Sequence, residues 1–362
     1  MKNQMDTLLE QIDAKQNPSC IGLDPRVVDI PMYIRQMAVG NHGNTKEAAA
    51  EAILIFNKGL IEATHDLVPA YKPNIAFYEQ YGPSGLDAFQ KTAEYAKKNG
   101  CIAIEDGKRN DIGPTAQAYA DGHLGVVDLC WKDHDHPDGK VPSINVDMLT
   151  INPYLGIDGV KPFIDVCQQQ GKGVFSLVRT SNKSAGDIQD KFVKLEDWQA
   201  ELIKKNLNDS GVSLNDLPQF KTEEGKAIPA GYAPNFIGVA TLTDKWGSDS
   251  VGGEGFSNVG AVVGPTWPEE ARVLTHVMPK TLKLGPGYGA QGASIDGLLK
   301  MFNNQGRGGL INNSRGINFA YKEDQYKSLY KEEDFEKASR AATESMQQTI
   351  TKALREAKKS RW

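Results

Sequence analysis

Short apolar runs alternate along the chain with longer stretches whose apolar positions recur at helical spacing. SCIGLDP (19–25) reads as a strand, and the stretch after it carries Ala48, Ala52, Ile55, Leu60 and Ala63 on one helical stripe. AYKPNIAF (70–77) and CIAIEDGK (101–108) are the next strands, with a helix around 84–98 between them and a short helix opening near Pro114. NVDMLTINPY (145–154), GVFSLVRTS (173–181), VGAVVG (259–264), TLKLGPG (281–287) and GLINNSRG (309–316) continue the series. Each is followed by helical sequence, the last by the charged run 331–358. This alternation predicts parallel strands joined by helical crossovers. Eight such strands close a (β/α)8 barrel, so the expected fold is α/β, a single TIM-barrel domain over residues 1–362. FIGVATL (236–242) is short enough to be strand or helix.

Two stretches exceed ordinary barrel connections. Residues 124–143 form a polar run containing WKDHDHPDGK, and residues 183–235 carry a helical piece of their own, KLEDWQAELIKKNL. Both read as insertions decorating the barrel, with Trp131 and Trp198 packing them against it.

In such a barrel, polar residues at the C-terminal strand ends line the active site. Asp24, Lys72, Asp106, Lys108, Asn152, Ser181 and Arg315 hold such positions. The densest cluster is AIEDGKRNDIGPT (103–115), where Asp106, Lys108, Arg109 and Asp111 follow a buried-strand lead. A solvated loop carries these charges freely. A strand end facing a cavity carries them only for a reason, because clustered buried charges are expensive to desolvate.

Composition narrows the partners. The chain is 40% hydrophobic and 24% charged, ordinary for a soluble globular protein. A net charge of −5 without a basic stripe argues against nucleic acid, and no apolar run approaches a membrane span. The opening MKNQMDTLLEQIDAKQ is polar and amphipathic, without a signal-peptide core, which predicts a cytoplasmic location. Cys20, Cys101, Cys130 and Cys167 form no CxxC pair and read as reduced thiols. The terminal KKSRW suits a helix dipole. His134 and His136, two apart on a proline-containing loop, read as solvated rather than as metal ligands.

DGKRNDIGPT fits the pattern D-x-K-x-x-D-I-x-x-T, and with GLDPR (22–26), YKPNIAFYEQYG (71–82), LVRTSN (177–182), VGAVVGPTWPEEA (259–271), GPGYGAQG (285–292) and NNSRGI (312–317) the chain resembles the orotidine 5'-monophosphate decarboxylase family. The wording is similar to the branch with longer chains, often bacterial. The resemblance implies decarboxylation of orotidine 5'-monophosphate to uridine 5'-monophosphate, a step of pyrimidine biosynthesis, with no metal and no organic cofactor. It implies that Lys108 stabilises and protonates the C6 carbanion, that Asp106 lies near the departing carboxylate, and that Lys72 and Asp111 hold the array. Asp24 would bind the ribose, or is a turn residue before Pro25. Ser181 would read the pyrimidine edge, or caps a helix. Thr115 would contact the ribose, or opens a helix after Pro114.

GYGAQG (287–292) also fits the dinucleotide fingerprint, but no acidic residue follows at the end of a second strand. In a barrel it is the loop after strand seven, a phosphate site in which Gly287 and Gln291 would grip the phosphate together with Arg315. The other reading of Arg315 by itself is a surface ion pair. The resemblance further implies a homodimer in which Asp111, Ile112 and Thr115 complete the partner's site. The rival function is a Mg²⁺-dependent sugar-phosphate decarboxylase or hexulose-phosphate synthase of the same superfamily. Those relatives place an acidic metal ligand where Lys72 stands, and a lysine beside Mg²⁺ makes poor electrostatic sense. A silent phosphate-binding barrel would lack a charged member of the array, and none is missing.

Overall fold

A computed structural model describes residues 3–213, 220–221, 225–288 and 294–362. The eight strand-like runs become eight parallel strands: β1 (Ser19–Leu23), β2 (Ala70–Pro73), β3 (Ile102–Arg109), β4 (Met148–Ile151), β5 (Gly173–Arg179), β6 (Val259–Val263), β7 (Lys283–Pro286) and β8 (Gly309–Asn313). Each pairs with its neighbours in sequence, and β8 returns to β1 to close the barrel. The ambiguous FIGVATL is helix, within Asn235–Gly247. Phe236, Ile237, Ala240 and Thr241 are buried while Lys245 is exposed, which is helical spacing, not alternation.

Inward side chains of the strands form one apolar cluster, including Cys20, Ile102, Ile104, Met148, Phe175, Leu284 and Leu310. Met5, Leu8, Leu9 and Ile12 of the helix Gln4–Lys15 join that cluster and plug the N-terminal mouth. The amphipathic opening of the chain is therefore the barrel floor. A second cluster fills the space between the outer strand faces and the helices, with Phe56, Phe89, Phe163 and Phe335 fully buried. Each such side chain contributes roughly 1.5–3 kcal/mol. The last long helix ends at Glu356, short of the basic tail. Arg361 instead pairs with Asp13 of the floor helix at 2.7 Å, and Trp362 packs on the floor cluster.

Residues 124–143 contain a hairpin, Val126–Asp128 against Lys140–Pro142. Trp131 is 73% exposed, so it does not pack this stretch against the barrel. His134 and His136 lie on the exposed turn beside Asp135 and Asp133. Trp198 does pack: Lys245 lies 4.1 Å over its ring, tying the helix Asp197–Asp209 to Asn235–Gly247. Cys20, Cys101 and Cys167 are buried and Cys130 exposed, none of them in a disulfide. Among the described residues no helix is long and apolar enough to cross a membrane.

Two strands depart from a regular ladder, and both departures bear on the site. Glu105 stands opposite Leu149 and Arg109 opposite Ile151, so residues 106–108 of β3 face Thr150 alone. In β5, Leu177 pairs with Val262 and Arg179 with Val263, leaving Val178 as the extra residue. Bulges of this kind re-aim side chains.

Candidate active site

The C-terminal strand ends surround a cavity of about 870 Å³. Into it the barrel brings Asp24 after β1, Lys72 of β2, Asp106 and Lys108 of β3, Thr150 of β4, Ser181 after β5, Gly287 after β7 and Arg315 after β8. Seven expected site residues thus share one space.

Lys72 is buried, its side chain only 5% exposed, and its Nζ lies 2.7 Å from Asp106 Oδ2. Lys108 Nζ donates to the other carboxylate oxygen, Oδ1, while its side chain stays half exposed. Asp106 is clamped between two ammonium groups. Burial disfavours its charge, but Lys72 and Lys108 outweigh burial and hold the carboxyl well below the usual carboxylate range. Burial likewise works against the Lys72 cation, and Asp106 with Asp24 more than offsets it, raising Lys72 above the ordinary lysine value. Both charges are fixed before any ligand arrives.

The bulge makes this geometry. Lys108 has a left-handed backbone, φ +48°, rare for a side chain with a Cβ. Thr150 Oγ1 holds it there by accepting from Gly107 N at 3.0 Å and Lys108 N at 2.9 Å. Gly107 is required at the centre, because a Cβ would fall 2.6 Å from Glu105 Oε1. Behind the strand, Arg109 Nε donates to His123 Nε2 at 3.3 Å, leaving Nδ1 to donate to buried Glu105 at 2.7 Å. Arg109 therefore faces the helices, and only Asp106 and Lys108 of the charged run face the cavity.

Asp24 is partly buried, and its partial removal from water raises its carboxyl against the opposing pull of Lys72 and Ser314. Its Oδ1 has no hydrogen-bond partner among the described residues, leaving an acceptor ready for a hydroxyl. Below the array, burial pushes the Cys20 thiol up to about 12, so it stays neutral beside these charges. Ser181 is not a helix cap: the N-cap position of the short turn beyond it, Lys183–Ala185, is held by Asn182. Arg315 opens the short helix Arg315–Asn318, exposed at the rim and without an ion pair among the described residues.

Asp111, Ile112 and Thr115 do not line this chain's own cavity. Asp111 accepts from Ile112 N at 2.8 Å, and Ile112 and Thr115 are exposed. Gln291 lies outside the described residues. Sequence reasoning missed Thr150, although it stands two residues on from the inward-facing Met148; Asn152, the strand-end residue chosen instead, caps the turn Pro153–Leu155 and does not line the cavity. It also treated 183–235 as peripheral throughout, whereas Ser184, Ala185, Asp187, Ile188 and Gln189 line the cavity wall.

Residues 20–227 match the family described as Orotidine 5'-phosphate decarboxylase / HUMPS family. An orotidine 5'-phosphate decarboxylase of Rhodopirellula baltica is 35% identical over 332 residues, covering 92% of this chain and 93% of the relative. The chain belongs to the orotidine 5'-phosphate decarboxylase family. A decarboxylase of this name from Caldicellulosiruptor saccharolyticus is 32% identical over 98% of this chain and 100% of its own. The solved structure of Leishmania donovani OMP decarboxylase superimposes with a TM-score of 0.64 at 26% identity, covering 98% of this chain and 99% of that one. The family match spans Asp24, Lys72, the bulged block 106–115 and Ser181.

Proposed function

We propose that this chain decarboxylates orotidine 5'-monophosphate to uridine 5'-monophosphate in pyrimidine biosynthesis. The observation that carries the proposal is the clamped carboxylate: Asp106, fixed as an anion by Lys72 at 2.7 Å and by Lys108, faces the cavity beside a half-exposed ammonium. Heterolysis of the bond from C6 to the carboxylate releases CO₂ and leaves the electron pair on C6, in the ring plane. A cation placed beforehand is the means to stabilise such charge. Lys108 Nζ is that cation. It passes a proton to C6 and is reprotonated from solvent, to which it is open.

Asp106 would stand against the substrate carboxylate. Two like charges about 4 Å apart at an effective dielectric near 20 repel by on the order of 4 kcal/mol, relieved as CO₂ departs. Asp24, with its free buried oxygen, would take a ribose hydroxyl, Ser181 the pyrimidine edge, and Gly287, Gln291 and Arg315 the phosphate. No cofactor is needed in this scheme. Lys72 speaks against the Mg²⁺-dependent alternative, since its ammonium occupies the position that reading assigns to an acidic metal ligand.

The working unit we propose is a homodimer in which Asp111, Ile112 and Thr115 of each chain complete the partner's site. Two observations support it. These residues leave their own cavity, and around them Tyr119, Tyr154, Leu155 and Ile157 are exposed apolar side chains on adjoining elements. Residues 1–362 we read as one barrel domain with insertions, working in a reducing cytoplasm that suits its four free thiols. The test is loss of orotidine 5'-monophosphate absorbance on mixing with enzyme, with and without EDTA. Turnover unaffected by chelator is expected. Turnover that requires Mg²⁺ would overturn the proposal.

A further inference from the structure

We infer that Arg179 is a positioning residue for base recognition, acting through Gln189 and Ser181 without touching the ligand. This rests on the assignment of Ser181 to the pyrimidine edge. Regular alternation would aim Arg179 into the cavity with Leu177, but the extra residue Val178 turns it outward into the helical shell, where it is fully buried.

Its guanidinium gathers the surrounding elements. The Arg179 guanidinium carbon lies 4.8 Å from the ring centre of Trp267 and 5.3 Å from that of Phe236. Its Nε and Nη2 donate to Glu270 in the first turn of Pro268–Val277, the latter at 3.3 Å. Nη2 also lies 2.9 Å from Asp190, and Nη1 donates to Gln189 Oε1 at 3.3 Å. That same Oε1 accepts from Thr180 N at 2.9 Å, and Gln189 Nε2 donates to Thr180 Oγ1 at 2.8 Å. The loop 180–189 is thus drawn closed at its base, and Ser181, Asp187 and Ile188 on it line the cavity.

Beneath the loop, Gly264 N donates to the Arg179 carbonyl at 2.7 Å, and a Cβ on Gly264 would lie 3.0 Å from Ser181 N and Cα. Ser181 therefore has a fixed floor and a fixed tether. A buried cation is a poor way to gain stability, since apolar packing of equal volume does as well or better. A planar fork with several donors is a good way to fix where strand, loop and helices meet, and lysine cannot reproduce it.

The experiment measures dissociation constants of uridine 5'-monophosphate and ribose 5'-phosphate for the full-length wild type, Arg179→Lys, Gly264→Ala and Ser181→Ala, with melting temperatures alongside. We expect Arg179→Lys and Gly264→Ala to weaken the nucleotide about tenfold while ribose 5'-phosphate stays within about twofold. Equal weakening of both ligands, or of neither, in Arg179→Lys overturns the inference. Gly264→Ala carries the test by the same criterion if Arg179→Lys does not fold. If Ser181→Ala leaves the ligand ratio unchanged while Arg179→Lys lowers it, the positioning role stands and the base is read elsewhere on the loop. If Ser181→Ala is selective and Arg179→Lys is not, Ser181 keeps its assignment and the positioning role fails.

Discussion

Lys108 is held by Thr150: the threonine Oγ1 sits 2.9 Å from the lysine's backbone N while that backbone is left-handed, at φ +48°. Thr150 also accepts from Gly107 N, so one hydroxyl oxygen satisfies two donors that the bulged ladder leaves unmatched. Thr150→Val keeps the shape and removes the acceptor. We expect a loss of about 1–3 kcal/mol in stability from two unsatisfied donors. Turnover should fall with substrate affinity less affected, because the ammonium loses its placement. Denaturation midpoints and the split between kcat and KM check this, and an unchanged kcat would remove Thr150 from the site's support.

Lys108→Ala should lower kcat by roughly 10³-fold or more, as loss of both proton donor and preplaced cation requires. Affinity for ribose 5'-phosphate should remain near wild type. Retention of more than about a few per cent of activity would contradict the proton-donor role.

Arg315→Ala should mainly raise KM, by about 10- to 100-fold, the size of a lost charged hydrogen bond. Part of the loss should appear in kcat, since phosphate binding can help organise the site around the reacting ring. Steady-state kinetics decide it, and an unchanged kcat/KM would place Arg315 outside the site.

Asp24 sets function against stability. Its carboxyl titrates higher in the fold than in the open chain, chiefly through burial, so its ionised form disfavours folding. Asp24→Asn should raise Tm at neutral pH while weakening nucleotide binding. The gain in Tm should shrink as pH falls through the raised carboxyl range and vanish below the ordinary one, where wild type is neutral too. Thermal melts from pH 7 downward test the sign.

Lys72→Ala and Asp111→Asn should each be nearly inactive. Mixed under subunit exchange, they should recover roughly a quarter of wild-type activity, because about half the dimers are hybrids with one intact site. Absence of recovery, with exchange verified by mass, would mean that Asp111 serves its own chain.

The barrel was legible because each strand is a short apolar run and each crossover keeps helical spacing, and those periods survive in one dimension. Even the ambiguous FIGVATL was undecidable only over seven residues; its helical character rests on neighbours such as Gln199, whose Nε2 reaches Thr241 at 2.7 Å. The charged strand end was legible from its spacing. The choice of Lys108 over Arg109 as the inward cation came from the family resemblance, because alternation alone cannot reveal that residues 106–108 oppose Thr150 singly. The same blindness hid Arg179, which simple alternation puts in the cavity and the bulge takes out. Trp131 failed for another reason: an aromatic in a long loop looks like an anchor, yet nothing in its local sequence says whether a surface meets it.

The bulge in β3 also decides which mutations this site can survive. A side chain at Gly107 would crowd Glu105 and Leu149 but leave the count of residues intact, whereas deletion of a single residue from 106–108 would shift everything after it by one place in the strand. Arg109 would rotate inward, Lys108 would lose its seat on Thr150, and the lead into Asp111 would change direction. The vulnerable property is therefore the length of the segment, and a one-codon deletion should be more damaging there than most single replacements.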